Sequence, residues 1–134
     1  MVVTKKDVKF VAKNYEWMYS IENLLRKFVQ EQSEVLFGKE WEKWVQGSFN
    51  SHKEAKSFQA TTYEEMLDMF RQLPHLRHIL PEYLIVQLHR LSPIRQRITA
   101  FQMIEEEDAE RLKSSYWGVM NRKSFRKRRS LQMS

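Results

Sequence analysis

One stretch of this sequence decides how the rest is interpreted: Leu91-Ser92-Pro93-Ile94-Arg95-Gln96-Arg97-Ile98-Thr99-Ala100-Phe101. Ser92-Pro93 predicts a helix start, with a hydroxyl N-cap followed by proline at the first helical position. Arg95 then lies in the first turn. Position 100 follows five residues later, a little more than one turn away, and we expect it on nearly the same side. A basic residue and a second polar group at that spacing can meet one phosphate together, but position 100 holds alanine.

Apolar residues also recur at helical spacings before this stretch. Their spacing of three, four and seven over about residues 5–36 predicts one long helix that is buried over a wide face. Gly38 is well placed to end it. The aromatic stretch 41–45 then indicates a short helix or turn that is interrupted at Gly47. Residues 47–60 have no clean period, which predicts a loop or an irregular helical segment.

The second half of the chain contains clear helix boundaries. Thr62-Tyr63-Glu64-Glu65 is a capping box that opens a helix lasting until Pro74. Pro81 starts another helix, which leads into the helix of Arg95. The acidic stretch 105–108 suits the first turn of a last helix, because carboxylates are favourable at the positive end of the helix dipole.

These elements form a single domain without strands or internal repeats. The sequence predicts an all-α fold, an antiparallel four-to-five-helix bundle over residues 1–121. A basic C-terminal tail, residues 122–134, follows it. The four histidines show no metal-ligand pattern, so we expect them at the surface.

The net charge of +6 is concentrated in the basic tail. Six cations and no acid lie in 122–129, and removing them from the 23 basic residues leaves 17, equal to the 17 acidic residues. A run of this kind attracts phosphate backbones, and it attracts acidic proteins through the same field. A solvated tail without a partner is the alternative. The six cations are Arg122, Lys123, Arg126, Lys127, Arg128 and Arg129.

Composition excludes several classes of site. The absence of cysteine rules out a disulfide framework and a zinc–thiolate centre. No glycine-rich phosphate loop, nucleophile elbow or pair of catalytic carboxylates occurs. The N-terminus lacks the apolar core of a signal peptide, and no apolar run approaches membrane-spanning length. We therefore expect a cytoplasmic protein without a metal, a cofactor or a membrane partner.

Glu22 lies within the apolar stripe of the first helix, between Met18 and Leu25. A carboxylate in that position must pair or stay hydrated. Arg26 lies one turn later at the i+4 position, where opposite charges attract. A local ion pair between the two is the favoured interpretation, with a role in a site as the alternative.

Taken together, these motifs resemble the HEPN ribonuclease family. The residues 94–99 are similar to its signature of arginine, asparagine or another polar residue, a short spacer and histidine, with Ala100 where the histidine would fall. The first helix, the turn 38–44 and the segment 62–70 resemble, in order, the first long helix, the Gly-x-x-Trp-Trp turn and the helix before the catalytic hairpin. The resemblance covers about residues 8–120 and rests on the order and spacing of short motifs.

The resemblance implies a dimer in which two such helices lie side by side in one cleft and cleave RNA without metal. The histidine acts as base on a ribose 2′-hydroxyl, and the arginine steadies the phosphate charge. The product end is a 2′,3′-cyclic phosphate. An antitoxin or sensor protein is the implied regulator.

Carried over to this chain, the resemblance makes Arg95 the phosphate clamp. Gln96 takes the polar position, and Ala100 holds the position of the base. Glu22 and Arg26 line or brace the cleft from the first helix. Arg97 and the six cations of the basic tail are the further RNA-binding candidates.

Alanine cannot accept a proton, and a missing general base costs about 10²–10⁴ in rate. The chain is therefore expected to be nearly inactive, whether the alanine disables a toxic ribonuclease by substitution or reflects natural loss. One functional hypothesis is a metal-independent endoribonuclease of a toxin–antitoxin or antiphage system. The alternative is a non-catalytic module that dimerises and holds RNA or a protein partner. A basic DNA-binding helical protein is less favoured, because no helix shows a recognition face.

Overall fold

The computed structural model describes residues 4–49 and 57–122. Within these ranges the chain is all-α, as predicted, with two single-turn 3₁₀ helices, Gly38–Glu40 and Phe58–Ala60, and no strand. Six α-helices form the bundle: α1 Lys5–Phe37, α2 Trp41–Phe49, α3 Tyr63–Gln72, α4 Glu82–Arg90, α5 Ser92–Thr99 and α6 Glu106–Met120.

α1 is the central element, since α2, α3, α5 and α6 all pack against it. A capping box between Thr4 and Asp7 satisfies free N–H groups at its start. It ends at Gly38, whose φ of 69° lies in the left-handed region and whose N–H donates to the carbonyl of Glu34. The predicted long helix and its glycine terminus are confirmed.

α2 does not break at Gly47, so the predicted interruption is wrong. The helix continues to Phe49. Glycine inside a helix costs only about 1 kcal/mol relative to alanine, and tertiary packing can offset that cost. Here Val45 is buried, and the ring of Trp41 meets the ring of Phe58 edge-on at 5.2 Å. Residues 50–56, half of the predicted loop, lie outside the described residues.

α3 begins with the predicted capping box, in which Thr62 and Glu65 each bond the other's main chain at 3.1 Å. It ends just before Pro74, and the connector that follows buries Leu76 and Leu80. The largest fully buried side chains come from α1, from α3 to α4 and from the residue before α5. They are Ile21, Leu25, Tyr63, Met66, Leu67, Met69, Phe70, Leu76, Leu84, Leu88 and Leu91.

α4 and α5 meet at a single residue, Leu91, which keeps a helical conformation with φ −78° and ψ −10°. Because Leu91 is itself the N-cap, Ser92 is already inside α5, and the prediction of a Ser92 hydroxyl cap is wrong. The Ser92 hydroxyl is buried without a hydrogen-bond partner. Pro93 lies in the first turn of α5, where a missing N–H is tolerated.

α6 begins after Glu105 with the predicted acidic first turn and packs against α1 and α4. It ends at Met120, close to the predicted domain boundary. Of the basic tail only Arg122 is among the described residues. None of the described helices is long and apolar enough to cross a membrane.

Candidate phosphate-binding cleft at Arg95

The clearest polar feature of the bundle joins α5 to the middle of α1. Arg95 Nε donates to Glu22 Oε1 at 2.7 Å, and the two side chains are 28% and 19% exposed. The predicted ion pair of Glu22 with Arg26 is therefore wrong. The i+4 position is close in sequence, but α5 brings a guanidinium from 73 residues away to the same carboxylate. Glu22 thus lies beside Arg95 in the cavity, and its predicted role in a site stays a prediction.

Arg26 turns toward a different part of the chain. Its Nη2 donates to the carbonyl oxygen of Thr61 at 2.6 Å, while its Nη1 is buried without a hydrogen-bond partner. Arg26 thus holds the segment that enters α3. It does not line the cavity beside Arg95.

The guanidinium of Arg95 also lies over an aromatic ring. Its central carbon is 5.6 Å from the ring centroid of Tyr63, a cation–π distance. Tyr63 is fully buried, and its hydroxyl donates to the carbonyl of Leu88 at 2.7 Å. Burial, reinforced by the nearby charge of Glu22, raises the pKa of Tyr63 well above its usual value. The phenol therefore stays neutral and is a platform for Arg95, not a base.

Two contacts thus fix Arg95 while leaving part of it available. Nε is bonded to Glu22, and among the described residues neither Nη nitrogen has a hydrogen-bond partner. A guanidinium held in this way presents two donors in a fixed plane, the arrangement that suits phosphate oxygens.

A cavity of about 60 Å³ opens beside the Arg95 guanidinium. Tyr15 and Tyr19 stack at its edge with ring centroids 6.2 Å apart, and both rings are about half exposed. The cavity is small and open to solvent, so a ligand bound at Arg95 would extend out of it onto the surface of the subunit. The lining residues are Tyr15, Met18, Tyr19, Glu22, Arg95, Ile98 and Thr99.

Ala100 lies at the C-cap of α5 and is exposed, with φ −88° and ψ 7°. Five residues at 3.6 per turn place it about 140° around the helix from Arg95. The expectation that both positions lie on nearly one side is therefore not met within one subunit. Arg95 points toward α1, whereas a side chain at position 100 meets solvent.

The neighbours of Arg95 on α5 have separate roles. Gln96 is exposed, and its main-chain carbonyl accepts from the Thr99 hydroxyl at 3.0 Å and from the Ala100 N–H at 3.1 Å. Arg97 Nη1 lies 3.4 Å from Asp108 Oδ2, which ties α5 to the first turn of α6. Arg97 is thus half exposed and partly neutralised. Lys123, Arg126, Lys127, Arg128 and Arg129 lie outside the described residues.

His75 and His89 are only partly exposed, so the prediction of surface positions is not fully met for these two histidines. The ring nitrogen Nε2 of His75 lies 2.8 Å from the buried Ser33 hydroxyl, and its ring meets Phe37 edge-on. Burial lowers the pKa of His75. His89 Nε2 lies 3.4 Å from Asp68 Oδ1, away from the Arg95 cavity. His52 is outside the described residues.

Sequence reasoning missed the aromatic side of this cleft. Tyr15 follows the helical spacing of the first helix that predicts burial, yet it is 49% exposed. The spacing of Tyr15, Tyr19 and Glu22 at i, i+4 and i+7 was the available signal, because these positions share one face of a helix. For Tyr63 the sequence contains no such signal. The capping box predicts where α3 starts, but it does not predict which side chain contacts the ring of Tyr63. No group of metal-ligating side chains occurs among residues 4–49 and 57–122.

No family model matches this chain, and no curated protein or solved structure is significantly similar to it. A functional assignment therefore depends on the geometry around Arg95 and on the order of motifs in the sequence. The fold alone does not decide it, because helical bundles support many unrelated functions.

Proposed function

We propose that this chain is a HEPN-type, metal-independent endoribonuclease domain that acts on cytoplasmic RNA as a homodimer, in a form that Ala100 leaves without its general base. The observation that carries the proposal is the position of Arg95. Glu22 holds its Nε at 2.7 Å, Tyr63 lies under its plane, and both Nη nitrogens remain available to an anion.

The reaction needs a base, an oriented phosphate and stabilisation of developing charge. A base removes the ribose 2′-hydroxyl proton, the 2′-oxygen attacks the adjacent phosphorus, and the 5′-oxygen leaves with a proton. A 2′,3′-cyclic phosphate remains. In this scheme the Nη groups of Arg95 donate to the non-bridging oxygens as negative charge builds there. Position 100 supplies the base when it carries histidine.

A second copy of the chain is part of the proposal, because one subunit does not complete the site. Position 100 lies exposed at the C-cap of α5 and points away from Arg95. Two α5 helices side by side would place the arginine of each near position 100 of the other. Tyr15 and Tyr19 at the cleft, and Phe101 just after the end of α5, are exposed aromatic residues that provide apolar surface for such contact.

A regulatory protein partner is also part of the proposal. A nuclease that cleaves cellular RNA must be restrained until it is needed, and an antitoxin or sensor protein would supply that restraint. The cations of the basic tail would draw an acidic partner of this kind.

Restoring the base tests the proposal directly. The Ala100→His variant, the unchanged chain and Ala100→His/Arg95→Ala are each incubated with total cellular RNA in the presence of a chelator. We expect cleavage to 2′,3′-cyclic phosphate ends by Ala100→His alone. Ala100→Asn is the matched control, since it has similar bulk and no basic nitrogen. Cleavage by Ala100→Asn, or cleavage that survives the loss of Arg95, would contradict this mechanism.

The second candidate function is a non-catalytic module that dimerises and holds RNA or a protein. Ala100 itself favours it, because the chain as it stands has no proton acceptor at that position. An Ala100→His variant that is folded and dimeric, binds RNA and yet leaves it intact would support this candidate over the nuclease.

A further inference from the structure

Two open cavities meet on the surface formed by the end of α3 and by α4. One has a volume of about 390 Å³, and the other about 360 Å³. Arg71 lines both of them, so they are neighbours on one surface. Their basic residues, here called the α3–α4 basic surface, are Arg71, Arg77, His78, His89, Arg90 and Arg122. None of these residues lines the cleft at Arg95.

Positive charge exceeds negative charge on this surface. Glu82 accepts from Arg71 at 2.8 Å, and both side chains of that pair are well exposed. By contrast, among the described residues Arg77, Arg90 and Arg122 have no ion pair and no side-chain hydrogen bond. Three guanidinium groups without an ion pair on one surface suit a polyanion, because each keeps its charge available to a ligand.

The fold assembles these residues from distant parts of the sequence. The connector after α3 turns at His78, whose φ of 71° is rare for a residue other than glycine. This turn sets Arg77 and His78 beside the start of α4. The end of α6 brings Arg122 to the same cavity.

We propose that the α3–α4 basic surface binds the phosphate backbone of single-stranded RNA. Arginine is suited to this role because its planar fork meets phosphate oxygens in pairs. Two cavities that share Arg71 form one continuous basic surface on which a single strand can lie. Pro81, which is partly exposed, also lines the larger cavity and gives an unpaired base or ribose a small apolar surface to pack on.

Further cations follow the last residue of this surface in the sequence. Arg122 is the first cation of the run 122–129, so five more cations follow from the edge of the cavity. The surface goes beyond the proposed function, because it binds RNA whether or not the Arg95 cleft cleaves it. Binding at this surface would hold a strand on the domain independently of the cleft.

Salt-dependent binding of a fluorescein-labelled oligouridine of about 20 nucleotides to the full chain tests the proposal. The test variant is Arg77→Ala/Arg122→Ala, and the matched control is Lys39→Ala/Lys113→Ala, which removes the same charge at exposed positions outside both cavities. Each phosphate contact with a single strand contributes about 0.7 to the slope of log K against log salt. We expect the test variant to lose about 1.4 from the magnitude of that slope, while the control keeps it.

Equal slopes in the test and control variants would overturn the proposal, because the effect would then be one of net charge alone. Displacement of the oligouridine by polyglutamate at equal charge concentration would also overturn it and would assign the surface to an acidic protein. If the double variant does not fold, Arg77→Gln alone should lower the slope magnitude by about 0.7. If Ala100→His cleaves RNA and the test variant keeps the slope of the unchanged chain, RNA binding at the α3–α4 basic surface is excluded. The proposed nuclease function is then unaffected.

Discussion

Arg95 and Glu22, 73 residues apart in sequence, are joined at 2.7 Å between Nε and Oε1. The contact fixes the orientation of a guanidinium that is only partly exposed and that also lies over a buried ring. It ties the short helix α5 to the long helix α1, so the stability of the bundle and the geometry of the proposed clamp depend on the same pair.

Replacing Glu22 by glutamine should lower the free energy of unfolding by about 1–2 kcal/mol, because Arg95 keeps its charge and loses a charged acceptor. The matched control is Glu16→Gln on the same helix, whose pair with Lys13 is exposed at 3.7 Å. The control should cost less than about 0.5 kcal/mol. Urea titrations of both variants measure the difference. Equal losses would mean that the Glu22 contact contributes no more than a surface ion pair.

Tyr63 should make the protein sensitive to alkali. Burial raises its pKa above the ordinary value of 10.0, so the native state keeps a phenol proton that the unfolded chain gives up. This contribution to stability is complete below pH 10.0 and is lost as the pH rises toward the pKa of the folded state. Tyr63→Phe should cost about 0.5–1.5 kcal/mol at neutral pH, through the lost bond to the Leu88 carbonyl. It should then show a shallower alkaline decline, and an unchanged decline would exclude Tyr63 as its source.

His75 should make the protein sensitive to acid. Its pKa is lowered by burial from the ordinary 6.5, so protonation is harder in the native state than in the unfolded one. The contribution of neutral His75 to the free energy of unfolding is complete above pH 6.5. It is lost as the pH falls below that value toward the pKa of the folded state. Melting temperatures of His75→Gln at several pH values should fall less on acidification than those of the unchanged chain. His78→Gln, at an exposed position of the same connector, should keep the parent's response.

Phe101 combines 84% exposure with a φ of 59° in the left-handed region. Removing its side chain relieves strain of about 1–2 kcal/mol, partly offset by the greater freedom of glycine in the unfolded chain. Phe101→Gly should therefore keep or slightly raise the free energy of unfolding, while sedimentation equilibrium should show weaker association in the proposed dimer. Phe101→Asn, which tolerates the same φ, is the companion variant. A clear loss of stability in both would place the ring in contacts within its own subunit.

Local patterns predicted local structure well in this chain. The capping box at Thr62, the glycine end of α1 and the acidic start of α6 all depend on residues within one or two turns, and all three are confirmed. The wrong predictions concern positions where tertiary packing, and not the local sequence, determines the conformation. Ser92 has the chemistry of a cap, but Leu91 continues the helical conformation and leaves no cap position for it.

The candidate site shows the same contrast between what the local sequence predicts and what tertiary packing determines. The sequence singled out Arg95 and Glu22 separately, because each is a charged residue in an informative position. The i+4 spacing predicted a pair of Glu22 with Arg26, because spacing along one helix indicates only the contacts within that helix. Such spacing cannot indicate a contact with Arg95, which is 73 residues away in the sequence. The α3–α4 basic surface gave no sequence signal, because its arginines come together only when α3, α4 and the end of α6 are packed.

The one-residue joint at Leu91 sets a strict phase relationship between α4 and α5. Each residue of a helix turns the chain by about 100°. A single insertion or deletion at this joint would therefore swing Arg95 off the carboxylate of Glu22 by more than a quarter of a circle, without altering any residue of the cleft. The length of the chain between the two helices is thus as much a determinant of the clamp as the identity of its side chains.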